Sequence, residues 1–144
     1  MVGGCSPSDE AVLAIADGVV VRSGNASAVL DLDGDGDERT GWVVFYLHLR
    51  NTDLPKVGKQ LKKGDPIGYP SCDGGKSTGT HIHIARKYNG EWVLADGPLA
   101  FNLEGWISSN GLREYQGYLE KEGRRLRACV CSDKDSQINA TWQP

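Results

Sequence analysis

Apolar and polar positions in this chain alternate in short runs, and no stretch repeats at the three-to-four residue spacing of an amphipathic helix. Residues 12–16, 19–22 and 28–30 are short β-branched or aliphatic runs, separated by Asp17-Gly18 and by Ser23-Gly24-Asn25. Such runs between turn residues predict strands joined by tight reversals. Residues 41–50 form the longest strand-like run. A glycine-punctuated pair of short strands follows over 57–68, and Asn89-Gly90 closes a hairpin between a strand through Ile84 and another at 91–94. From Ala95 onward the pattern stays β-like, with Lys121-Glu122-Gly123 as a turn before a final strand over 124–131. The expected fold is all-β, an antiparallel sheet with a β-rich C-terminal extension.

At 144 residues the chain can bury one real core, and its 19 glycines and 6 prolines suit a turn-rich β domain. No linker-like shift in composition interrupts it, so a single domain is expected over 1–131, followed by a polar tail over 132–144. A formal net charge of −3 gives no electrostatic reason to expect nucleic acid, and Arg124-Arg125-Leu126-Arg127 reads as a solvated strand face. No apolar run approaches the ~20 residues needed to span a membrane. Met1-Val2-Gly3-Gly4 has neither the charged start nor the apolar centre of a signal peptide.

The four cysteines, Cys5, Cys72, Cys129 and Cys131, show no C-x-x-C spacing. Three full pairings are open, among them bridges from Cys129 and Cys131 to Cys5 and Cys72. At least one bridge is expected, involving Cys5 or Cys72, since both lie in loops that need anchoring. An oxidising, extracytoplasmic site follows, with buried reduced thiols as the plain alternative.

Asp31, Asp33, Asp35 and Gly36 match the first half of a calcium loop, where alternate carboxylates converge and a glycine permits the sharp turn. The twelfth position of such a loop is Trp42 rather than a bidentate Glu, so a solvated hairpin tip at Asp31–Asp37 is favoured over a Ca2+ site.

The chemistry concentrates in the histidines, of which there are three. His81 and His83 stand two apart in Thr80-His81-Ile82-His83-Ile84, so on a strand both imidazoles share one face while Ile82 and Ile84 face a core. His48 ends a second alternating run, Phe45-Tyr46-Leu47-His48-Leu49. Neutral imidazole binds zinc and a neighbouring imidazole can move protons, while the plain alternative is three hydrogen-bonded sheet histidines.

Four pieces in order carry a resemblance. They are residues 12–20 with Asp17-Gly18, Tyr46-Leu47-His48-Leu49, Val57-Gly58 with Lys63-Gly64-Asp65-Pro66-Ile67-Gly68, and Ser77-Thr78-Gly79-Thr80-His81-Ile82-His83. Together, over 12–94, they resemble the lysostaphin/LytM-type zinc metallopeptidases, and the acidic insert, the Gly-rich loop before His81 and the 87–92 hairpin resemble the LasA-like branch. The resemblance implies a sheet folded into an open groove (a LytM, duplicated-hybrid-motif fold) with the three histidines on its floor. It implies cleavage of glycine-containing peptide bonds in peptidoglycan, outside the cell or in its envelope, with Zn2+ as cofactor. It also implies His83 as a metal ligand, His81 as the general base and His48 as the stabiliser of the oxyanion. Those roles make chemical sense, because zinc lowers the pKa of its water to about 7, matched to an imidazole base.

The family's other two ligands, a His and an Asp, precede the 12–20 strand, and this chain has no histidine before His48. Asp9 lies too near Val12 and Asp17 matches the family's turn Asp, so both are poor substitutes. The expectation is a chain truncated at its amino end, weakly active or inactive alone. The alternative is a non-catalytic LytM-type domain that binds cell wall or activates another hydrolase.

Overall fold

The computed structural model describes residues 4–113 and 116–127. The chain divides into two compact units, Met1–Val93 and Leu94–Pro144. Among the described residues every regular element is a strand, apart from one short 3-10 turn at Asn51–Asp53.

The first unit is built on a six-stranded sheet. Its strands in chain order are β2 (Gly18–Gly24), β3 (Ser27–Asp31), β4 (Trp42–Leu47), β5 (Gln60–Leu61), β7 (His83–Tyr88) and β8 (Glu91–Val93). They lie in the order β5-β2-β3-β4-β7-β8, every pair antiparallel. A two-stranded ladder of β1 (Val12–Leu13) and β6 (Pro66–Gly68) completes the unit. Register follows the alternation in sequence: Leu30 stands opposite Val44, and Ala28 opposite Tyr46. One face of the sheet therefore presents Val20, Ala28, Leu30, Val44 and Tyr46 to Ala14, Leu49, Leu61 and Ile67, and Ile82 and Ile84 pack against the same cluster.

Two strands are shorter than the sequence pattern suggests. The run over 12–16 stops at Leu13, because the Ile15 N–H is taken by the Tyr46 hydroxyl rather than by a neighbouring strand. The run over 41–50 stops at Leu47, because His48 adopts a left-handed backbone with φ of 69°. Few side chains other than Gly, Asn and Asp take that conformation, so its presence at a histidine marks a position held by its surroundings.

The second unit is a meander of β9 (Asn102–Leu103), β10 (Trp106–Asn110), β11 (Gly117–Lys121) and β12 (Arg124–Arg127), in the sheet order β12-β11-β10-β9. The β11–β12 turn places Glu122 and Gly123 at φ of 50° and 76°, the two-residue reversal whose twist matches its flanking strands. Arg124 and Arg125 are exposed and Arg125 pairs with Glu120 across the ladder, in keeping with a solvated strand face. The expected β-rich extension is thus present. Cys129, Cys131 and the tail over 132–144 lie outside the described residues.

Of the open disulfide pairings, the structure selects Cys5 with Cys72, not a bridge from either to Cys129 or Cys131.

Candidate active site

β4 delivers Tyr46 to the core, and two residues later the chain kinks at His48. The kink is over-determined. The Leu49 N–H donates to the Ala26 carbonyl, and the His48 carbonyl accepts from both the backbone N–H and the hydroxyl of Ser71. The loop supplying Ser71 packs tightly: Gly74, at φ of 81°, lies so close to Ala26 that an added Cβ would sit 2.8 Å from the Ala26 Cβ. His48 is 6% exposed, and its ring Nδ1 lies 2.7 Å from the Asp73 carbonyl oxygen.

His81 sits two residues before β7, in an isolated antiparallel bridge with Ser71. Its Nδ1 lies 2.7 Å from the Gly79 carbonyl and 3.2 Å from the Ser77 hydroxyl. The His48 and His81 rings face each other with centroids 4.4 Å apart, tilted by 49°. His83 opens β7 opposite Leu47. Burial, and then the adjacent His48 and His81, hold its imidazole below the usual histidine range, favouring the neutral form that binds a metal.

A carbonyl oxygen can only accept, so the Nδ1 atoms of His48 and His81 must carry the proton. Each ring then offers its Nε2 lone pair as its basic site. The structure thus brings together the three histidines read from the sequence. It adds Ser71 and Asp73, which hold His48 and carried no sequence signal because their contacts to it run through main-chain carbonyls, and it shows Ser77 and Gly79 of the motif read from the sequence holding the His81 ring.

These residues do not by themselves compose a zinc site. Among the described residues, the one group of three ligand-bearing side chains whose donor atoms lie within 4.8 Å of one another is Asp31, Asp33 and Asp35, and it contains no histidine. Neither Asp9 nor Asp17 joins His83 in such a group. Asp17 instead accepts the Lys63 N–H and pairs with Lys62, as a turn residue does. The acidic loop is closed by its own backbone. Buried Asp31 accepts from the Gly36 N–H, and Asp33, Asp35 and Asp37 each accept the N–H two residues on. The Arg39 guanidinium and N–H hold the Asp37 carboxyl down at about 2. This is the hydrogen bonding of a hairpin tip, and calcium gains no support from it.

Residues 5–94 match the model of peptidase family M23. The chain belongs to that family. It is 30% identical over 95 residues to Protease LasA of Pseudomonas aeruginosa, an alignment covering 58% of this chain and 22% of that protein. It therefore spans about a fifth of its curated relative's length. Among solved structures, the catalytic domain of the prophage-encoded M23 protein EnpA from Enterococcus faecalis, as a point mutant, superposes with a TM-score of 0.50 at 22% identity, over 67% of this chain and 75% of that one. That likeness supports the fold. The catalytic domain of the antimicrobial peptidase lysostaphin from Staphylococcus simulans is 30% identical with a TM-score of 0.46, over 55% and 59% of the two chains.

Proposed function

We propose that this M23 peptidase is a zinc metalloendopeptidase of the peptidoglycan-hydrolase type, cleaving glycine-containing peptide bonds of bacterial cell walls. The observation that carries the reading is the His48–His81 ring pair, 4.4 Å between centroids, beside His83. In it, His81 accepts the proton of the attacking water through Nε2. His48 donates through Nε2 to the oxyanion of the tetrahedral intermediate, which with Nδ1 committed to Asp73 requires its protonated form. His83 serves as a metal ligand. The Cys5–Cys72 disulfide supports an extracellular or cell-envelope setting, where such bridges persist.

Because His83 joins no three-ligand group among the described residues, a second reading stands beside the first: a non-catalytic domain of the same fold that binds cell wall or activates another hydrolase. Zinc titration of the 144-residue chain, paired with release of dye from labelled cell walls, separates the readings. The expected dissociation constant is micromolar or weaker, about 8 kcal/mol of binding against the roughly 10–16 kcal/mol of a complete structural zinc site. His83→Ala should abolish what binding remains. Stoichiometric tight binding by the 144-residue chain would show that its own residues complete the set. Zinc bound tightly by the protein as it occurs in its host, without any cleavage, would favour the second reading.

A further inference from the structure

The Cys5–Cys72 bridge joins the two segments that hold the two facing histidines. Cys72 lies between Ser71, which holds the His48 carbonyl, and Asp73, whose carbonyl accepts from the His48 ring. The Asp73 carboxylate in turn accepts from the Asn51 N–H, and the Asp73 N–H donates to the Ser71 hydroxyl. Cys5 lies between Gly4 and Ser6, whose carbonyls accept from the N–H and the hydroxyl of Thr80, the residue before His81. Gly4 packs so closely on the segment before His81 that a Cβ there would overlap the Thr78 carbonyl oxygen. The half-cystines are 67 residues apart in sequence, so nothing local keeps their two segments in register.

We propose that the Cys5–Cys72 disulfide is a positioning strap that fixes the His48 ring against the His81 ring, and that the site loosens when it is reduced. This rests on the roles given above to His48 and His81. Reduction by a dithiol opens the S–S bond to two thiols, while the reductant supplies two electrons and two protons and closes to its own disulfide. The segment 4–6 then loses its covalent hold, and with it go the Thr80 bonds and the loop that fixes the Asp73 carbonyl.

The test reads geometry, not turnover. In the oxidised protein the His48 Nδ1–H should give a protected resonance in proton–nitrogen spectra, and the Thr80 amide should exchange slowly. Reduction, or the double substitution Cys5→Ser with Cys72→Ser, is expected to speed Thr80 exchange at least tenfold and to remove the His48 ring signal. Amides of β3 and β4 should keep their protection. Cys129→Ser with Cys131→Ser should leave both reporters unchanged. An unaltered His48 signal after loss of the bridge overturns the strap. If the double variant does not fold, Gly4→Ala, which keeps the disulfide, decides: a change at His48 supports the strap, and a change confined to Thr80 overturns it. A strap confirmed in a protein that cleaves nothing would sink the peptidase reading alone, since the two readouts are separate.

Discussion

His81→Ala is expected to lower cell-wall cleavage by about 10²–10⁴-fold, the usual contribution of a positioned general base. The reason lies in its surroundings. The Gly79 carbonyl fixes the Nδ1 proton, so only Nε2 can accept one, and the exposed position leaves it within reach of water. His48 should matter nearly as much, about 10²–10³-fold, as the loss of one oxyanion donor. Its substitution needs care, because an alanine would keep the left-handed φ of 69° while losing the ring contact to Asp73 that helps hold it, and folding loss would mix with chemical loss. His48→Gly removes the ring and suits the backbone. Dye release from labelled cell walls by the protein as it occurs in its host, with circular dichroism to confirm the fold, measures both. His81→Ala retaining wild-type cleavage would refute the assignment of the base.

Much of this site was visible in the alternation of the chain. The twofold period that puts Ile82 and Ile84 against the core also puts His81 and His83 on the other face, and the structure keeps that division. The left-handed turn at His48 was not visible, because Leu49 continues the apolar alternation and is itself fully buried, so the run looks like unbroken strand. What ends the strand is a pair of bonds from Ser71 to the His48 carbonyl, made across 23 residues. Cysteine pairing was hidden for the same reason: it depends on which loops meet, and composition does not encode that.

Tyr46→Phe is expected to destabilise the first unit by about 1–3 kcal/mol near neutral pH. Tyr46 is fully buried, and its hydroxyl accepts the Ile15 N–H at 2.9 Å from 31 residues away. Phenylalanine fills nearly the same space and leaves that N–H without a partner. The same burial pushes the phenol up to about 12 from an ordinary 10, against the opposing pull of the Ile15 hydrogen bond. The sign of the pH effect follows. Below pH 10 the phenol is neutral in both folded and unfolded chains, and its contribution is fully present. Between pH 10 and 12 the unfolded chain ionises first, and stability is lost as pH rises through the folded value, by about 3 kcal/mol in all at 1.36 kcal/mol per unit. Phenylalanine cannot ionise, so the stability gap between wild type and variant should close, and then reverse in sign for the smaller hydrogen-bond costs, as pH climbs from 10 to 12. Urea unfolding of both proteins across that range isolates the effect, since every other tyrosine and lysine titrates in both. A gap that stays constant with pH would show that the Tyr46 phenol is not held neutral by the core.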